Sequence, residues 1–161
     1  MNYHFVDQVL FLDAVGEGRI EALKAFPLTE DYLDDTFRSV SVVPPSLLLE
    51  ILASSGALLL SARYGYRIHA LLLKVEDARF FKAVRAGDRV LARSRYVGIQ
   101  GEIPEAAGVA KCVGEALVGK EKVAEAEILF LCVPLDWTVG GEGEMFISHI
   151  LERLGLERTA A

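Results

Sequence analysis

An α+β fold, an antiparallel sheet wrapped around one long central helix, is what this sequence predicts. Three observations predict it. Residues 45–63 are apolar nearly all round, which marks a buried helix and not an amphipathic surface one. Six other segments carry the Val, Phe and Ile density and the turn punctuation of strands. The order is two strands, the helix, then four strands. A single helix greasy on every side must be enclosed, and an antiparallel sheet curling around it does so.

Each element has its own reason. Residues 5–12, Phe-Val-Asp-Gln-Val-Leu-Phe-Leu, read as the first strand, followed by a turn over 13–18. Residues 19–26 are its hairpin partner, but Ile20, Ala22 and Leu23 do not alternate strictly and leave the register open. Residues 27–43 form a loop, and a loop of that length inside a compact domain points to function or disorder. It carries the acidic cluster Glu30, Asp31, Asp34 and Asp35, then the run Thr36 to Ser41. Pro44 and Pro45 end it, and proline suits the first helical position because its missing N–H would go unpaired there. Within the helix, Glu50, Ser54, Ala57 and Ser61 form one narrow stripe of small or polar side chains. Gly65, between Tyr64 and Tyr66, is placed to cap its end. Strands follow at 68–81, 88–98, 106–118 and 122–133, the last two as a long hairpin. These elements make one domain over residues 1–136. Residues 137–161 are read as a C-terminal extension: a Gly140–Gly143 linker, then a short amphipathic helix over 144–155 carrying Met145, Phe146, Ile150, Leu151 and Leu154.

Composition narrows the function. The chain has 161 residues, 52% hydrophobic and 25% charged, enough to bury a sizeable core. Its net charge is −6, which argues against binding nucleic-acid phosphates. Two cysteines are too few for a disulfide-stapled secreted domain, and the first residues lack the pattern of a signal peptide. The greasiest run, Leu47 to Leu60, is interrupted by Glu50, Ser54 and Ser55 and falls short of the roughly 20 residues of a bilayer span. A cytoplasmic protein with no membrane span is expected.

Four stretches, in order, carry a family resemblance. Phe5-Val6-Asp7-Gln8-Val9 is similar to a Val-Asp-Arg-Val opening strand. Thr36-Phe37 through Pro44-Pro45-Ser46-Leu47-Leu48-Leu49-Glu50 follows the frame Gly-His-Phe-Pro-x-His-Pro-x-Met-Pro-Gly-x-Leu-x-x-Glu. Arg79-Phe80 through Gly87-Asp88 is similar to an Arg-Phe…Val-x-x-Gly-Asp strand and turn, and Ala124-Glu125-Ala126-Glu127 to an Ala-Glu-Ala-Glu closing strand. Over residues 3–135 the chain thus resembles the hotdog-fold (3R)-hydroxyacyl-acyl-carrier-protein dehydratases of fatty acid biosynthesis. The resemblance implies an acyl thioester substrate on acyl carrier protein (acyl-ACP) or coenzyme A (acyl-CoA), a lyase reaction without cofactor or metal, and subunits paired as a homodimer or higher homo-oligomer.

The resemblance also assigns residues. Glu50 and Thr36 fall at the two catalytic positions. Phe37, Val40, Pro45 and Ser46 fall on the substrate-binding loop and helix start, Ser54 on the helix, and Phe80 and Phe81 on the strand. Departures at these positions matter. Thr36 stands where the family has its loop histidine, and a hydroxyl cannot take a proton near pH 7 as an imidazole does. Val40 replaces the second histidine. Pro45 replaces the glycine whose N–H would polarise the thioester carbonyl. Loss of such a donor costs about 100- to 1000-fold, and loss of an acid–base group about 100- to 10,000-fold. Dehydration of 3-hydroxyacyl thioesters is therefore expected to be weak, altered or lost. The alternatives are an acyl thioesterase using the helix carboxylate, with Thr36, Ser39 and Ser41 orienting a water, and a non-catalytic acyl-binding partner of a complete dehydratase subunit.

The remaining chemistry-bearing residues read more plainly. Apolar neighbours on the helix should desolvate Glu50 and raise its pKa, which suits a general acid. His4, His69 and His149 lack ligand spacing, so no metal site is expected. With the turn at Gly119 to Lys122, Cys112 should pair near Leu129. That puts Cys132 out of register and on the other face, with both thiols buried and inert. Phe80 and Phe81 read as core aromatics more readily than as pocket walls. Arg89, Arg93 and Arg95 alternate onto one strand face, solvated by default or a docking patch for an acidic carrier protein.

Overall fold

The sheet is built from strands whose inward positions are small or branched. In the computed structural model, which describes residues 5–27 and 41–158, the six strands are β1 (Gln8–Asp13), β2 (Arg19–Ala25), β3 (Ile68–Phe80), β4 (Arg89–Gly101), β5 (Gly108–Val118) and β6 (Glu121–Pro134). Their order is β1-β2-β4-β5-β6-β3, and every neighbouring pair is antiparallel. Ile20, Ala22, Val90, Ala92, Ala110, Ala116, Ala124 and Ala126 are buried on one face. So many alanines let the sheet curl closely around a helix. This is the α+β hotdog architecture expected. The irregular spacing in β2 has a cause: Lys24, 7% exposed, takes an inward position and pairs with Asp7 at 3.2 Å.

The helix α1 (Pro45–Arg63) has the bounds that its flanking residues suggested. Pro45 opens it, and Gly65 follows it with φ of 62°, a conformation that glycine adopts without steric cost. Leu48, Ile51, Leu52, Ser55 and Leu59 are buried against the sheet. At Gly56 a Cβ would stand 3.0 Å from Phe130 Cζ and 3.1 Å from Cε2, so the missing side chain sets how closely helix and sheet approach. The buried Ser55 hydroxyl donates to the Leu52 carbonyl at 3.0 Å, which leaves Ser94 to donate to Ser55 at 2.8 Å. α1 is long and apolar enough to cross a bilayer by length and composition, but here it is the core helix.

Two expectations are corrected. Cys112 pairs with Ile128, and an irregularity between Ala116 and Leu117 shifts the hairpin by one residue. That shift turns Cys132 to the same inner face as Cys112; both remain free and buried. Gly140 to Gly143, a linker by composition, instead form a 3-10 turn over Gly140–Glu142, after the short α2 (Asp136–Val139), and begin α3 (Gly143–Leu154). In α3 the buried residues are Gly143, Ile147, Leu151 and Leu154, whereas Met145 and Phe146 are exposed. α3 packs on its own chain, with Ile147 and Leu151 against Ala62, Tyr66 and Leu135, and Leu154 against Val6 and Ala22.

Burial has a consequence for the thiols. It pushes Cys112 up to about 12 and Cys132 up to about 11, and pushes the Tyr64 phenol up to about 12. An unfolded thiol ionises near about 8.5. The stabilisation from keeping these groups neutral is therefore complete below that pH and lost as pH rises towards 11 to 12. Denaturant titrations should show stability falling from pH 8 to pH 10. Below the unfolding transition, a thiol reagent at pH 8 should label neither cysteine; rapid labelling of folded protein would contradict this packing.

Candidate functional site

The start of α1 is held by the chain just before it. The Val43 N–H donates to the Val84 carbonyl at 2.8 Å, and the Ala86 N–H to the Ser41 carbonyl at 2.9 Å. Val42 bridges Arg85. The turn at 84–88 thus fixes where the helix begins and where its first residues project. Pro45 has no N–H, and Ser46, the next residue, is exposed with its amide at the open end of the helix.

One turn on, the structure corrects the reading of Glu50. The carboxylate is exposed in the single chain, not desolvated by its apolar neighbours. The physical reason is which face the sheet covers. Leu48, Ile51, Leu52 and Ser55 pack inward, while Glu50, Ser54, Ala57 and Ser61 lie on the face turned away, the latter three half-buried. The stripe exists, but no strand among the described residues covers its beginning.

Phe80 and Phe81 are corrected as well. They are 45% and 52% exposed, not core aromatics. They sit at the end of β3, the last strand of the sheet, whose outer edge has no partner strand among the described residues. Leu72 and Leu73 on the same strand are 48% and 50% exposed. Thr36, Phe37 and Val40, with the acidic cluster and Ser39, lie outside the described residues, as does His4. His69 is on β3, where its Nδ1 lies 3.0 Å from the Thr138 hydroxyl and its ring 5.9 Å from that of Phe146. Burial lowers its pKa, so the imidazole is neutral at neutral pH.

Cavities open on two faces of the described residues. One, about 650 Å³, lies on the outer face of the sheet over charged side chains. Its charges answer one another: Arg93 lies 3.2 Å from Glu21 and 3.7 Å from Glu115, and Lys122 lies 3.0 Å from both Glu115 and Glu125. Arg93, the middle of the arginine run, is therefore flanked by carboxylates and is not bare positive charge. The other cavity, about 260 Å³, is walled by Ser54, Ala57 and Ser61 of α1 and by Ile147 and Ile150 of α3, with His69 beside them. Sequence reasoning found its α1 wall as the small-residue stripe. It missed α3 as the opposite wall, because a helical pattern shows which face is apolar but not what that face meets. Among the described residues, no group of three His, Cys, Asp or Glu side chains is placed to hold a metal ion.

The chain is 33% identical over 129 residues to the 3-hydroxyacyl-[acyl-carrier-protein] dehydratase FabZ of Protochlamydia amoebophila, covering 80% of this chain and 79% of that one. This chain belongs to the FabZ dehydratase family. The FabZ dehydratase of Thermotoga petrophila is 31% identical over 140 residues, covering 80% of this chain and 96% of that protein. No family model matches the sequence. Among solved structures, a thioesterase of Haemophilus influenzae superposes with a TM-score of 0.55 at 18% identity, over 77% of this chain and 78% of that one. A protein of Streptococcus mutans bound to acetyl CoA superposes with a TM-score of 0.55 at 14% identity, over 79% and 88%. These two likenesses confirm the hotdog fold. The chain carries Glu50 on the central helix and Pro45 at the helix start.

Proposed function

We propose that this FabZ-family protein binds acyl thioesters along the outward face of α1 and interconverts 3-hydroxyacyl and 2-enoyl thioesters more slowly than a dehydratase with the full histidine loop. The observation that carries this reading is Glu50 itself: an exposed carboxylate at the head of a small-residue stripe that leads into a cavity. In the hydration direction, the Glu50 carboxylate takes a proton from water as the oxygen adds to C3. The same carboxyl returns the proton to C2, so one residue handles both transfers. The Ser46 amide at the positive end of α1 is the donor available to the thioester oxygen, since Pro45 offers none.

In this reading the site is completed by a second copy. The β3 edge supports it: a long strand whose outer edge has no partner among the described residues, with Leu72, Leu73 and Phe80 exposed, is a template for pairing with another strand. Pairing there would bring Phe80 and Phe81 to the copy's Glu50 and remove that carboxylate from bulk water. The thioester is carried on acyl carrier protein or coenzyme A, and the protein acts in the cytoplasm. The test supplies crotonyl-CoA to the purified protein, reading loss of enoyl absorbance for hydration and free thiol for hydrolysis. Hydration without thiol release is expected. Thiol release alone would make it a thioesterase, and neither signal would leave a non-catalytic binder; either overturns the proposed reaction.

A further inference from the structure

The 260 Å³ cavity between α1 and α3 is a groove partly open to solvent. A water occupies roughly 30 Å³ in the liquid, so the groove has room for a ligand of several such groups. Its shape follows from α1. Ser54, Ala57 and Ser61 are small side chains on one face, and seven residues at 1.5 Å rise make a groove roughly 10 Å long. Ile147 and Ile150 of α3 close the far side, and the buried Tyr66 and Ile68 also line it. Of the lining groups Arg153 alone is charged, and it is exposed; the others are neutral at neutral pH. Arg153 donates to the Val6 carbonyl at 3.0 Å, and His69 is hydrogen-bonded to Thr138 and uncharged at neutral pH. What fits is a narrow, uncharged, unbranched chain of roughly eight water-sized groups.

We infer that this cavity holds the distal part of a medium-length acyl chain and that α3, the chain's own C-terminal helix, is the wall that sets its length. This rests on the acyl-thioester reading above. The cavity begins at Ser54, one turn beyond Glu50, so a thioester reacting at Glu50 would send its tail along the stripe and under α3. Ala57 faces the middle of the groove, where a larger side chain blocks it. Ile147 and Ile150 stand opposite, where a smaller one deepens it.

The test is calorimetric binding of butanoyl-CoA, decanoyl-CoA, dodecanoyl-CoA and decanoic acid to wild type, Ala57→Phe and Ile147→Ala. Wild type should hold decanoyl-CoA about tenfold or more tighter than butanoyl-CoA, from burial of the added methylenes. Ala57→Phe should erase that preference, so that the two esters bind alike; Ile147→Ala should move the preference to dodecanoyl-CoA. Ser61→Leu blocks the same groove one turn on and serves if Ala57→Phe fails to fold. A decanoyl preference that survives both blocking variants would overturn the inference. So would equal affinity of wild type for the two esters, although the thioester reading would stand. Decanoic acid binding that is lost in Ala57→Phe, with no binding of either ester, would keep the pocket and refute the thioester reading. Blocking variants that change particle mass instead of tail preference would show the cavity belongs to a contact between copies, and overturn it.

Discussion

Glu50→Gln lowers the hydration of crotonyl-CoA by about 100-fold or more, the range for removing an acid–base group. The loss falls on kcat, because the amide keeps the size and hydrogen-bonding shape of the carboxyl but cannot exchange its proton. The fold of the single protomer should stay within about 0.5 kcal/mol of wild type, since Glu50 is exposed there. A melting curve unchanged beside a collapsed rate is the expected pair of results. Unchanged turnover in Glu50→Gln would remove the carboxylate from the chemistry, whatever the family.

The double variant Leu72→Glu, Leu73→Glu should separate the copies and lower turnover to the level of Glu50→Gln. Both side chains are about half exposed in the single chain, so the substitutions cost the folded protomer little. At a paired edge they would set like charges against their own counterparts and against apolar neighbours, which is how natural edge strands discourage pairing. Light scattering and the crotonyl-CoA assay on one sample read both effects. A variant that is monomeric and fully active would show that Glu50 needs no second copy.

Much of the architecture is written locally. Pro44-Pro45 and Gly65 bracket the central helix to the residue. The strand limits differ by a few positions: β1 begins later, at Gln8, and β4 runs on to Gly101 past an irregularity between Tyr96 and Gly98. Such irregularities were not legible, and they decide faces: the one at Ala116/Leu117 turned Cys132 inward. Lys24 at an inward position was hidden because its counter-ion, Asp7, lies on the far side of a turn. The site was legible in its chemistry but not in its surroundings. Glu50 and the stripe beyond it stand out by spacing, but an all-apolar helix looks enclosed, and the pattern cannot reveal that the sheet covers only one side of it. The same blindness made Phe80 and Phe81 look like core residues. Both errors come from reading one chain's burial off a hydrophobic surface that the sheet leaves uncovered.

That uncovered surface is where the account is most exposed to test. The mass of the wild-type particle at micromolar concentration, taken by light scattering, addresses it directly. An even number of copies of the 17.6 kDa chain is the predicted result, since no described element of the chain itself covers the carboxylate and a second protomer is proposed to remove it from water. A stable monomer at every concentration that supports crotonyl-CoA turnover would contradict it.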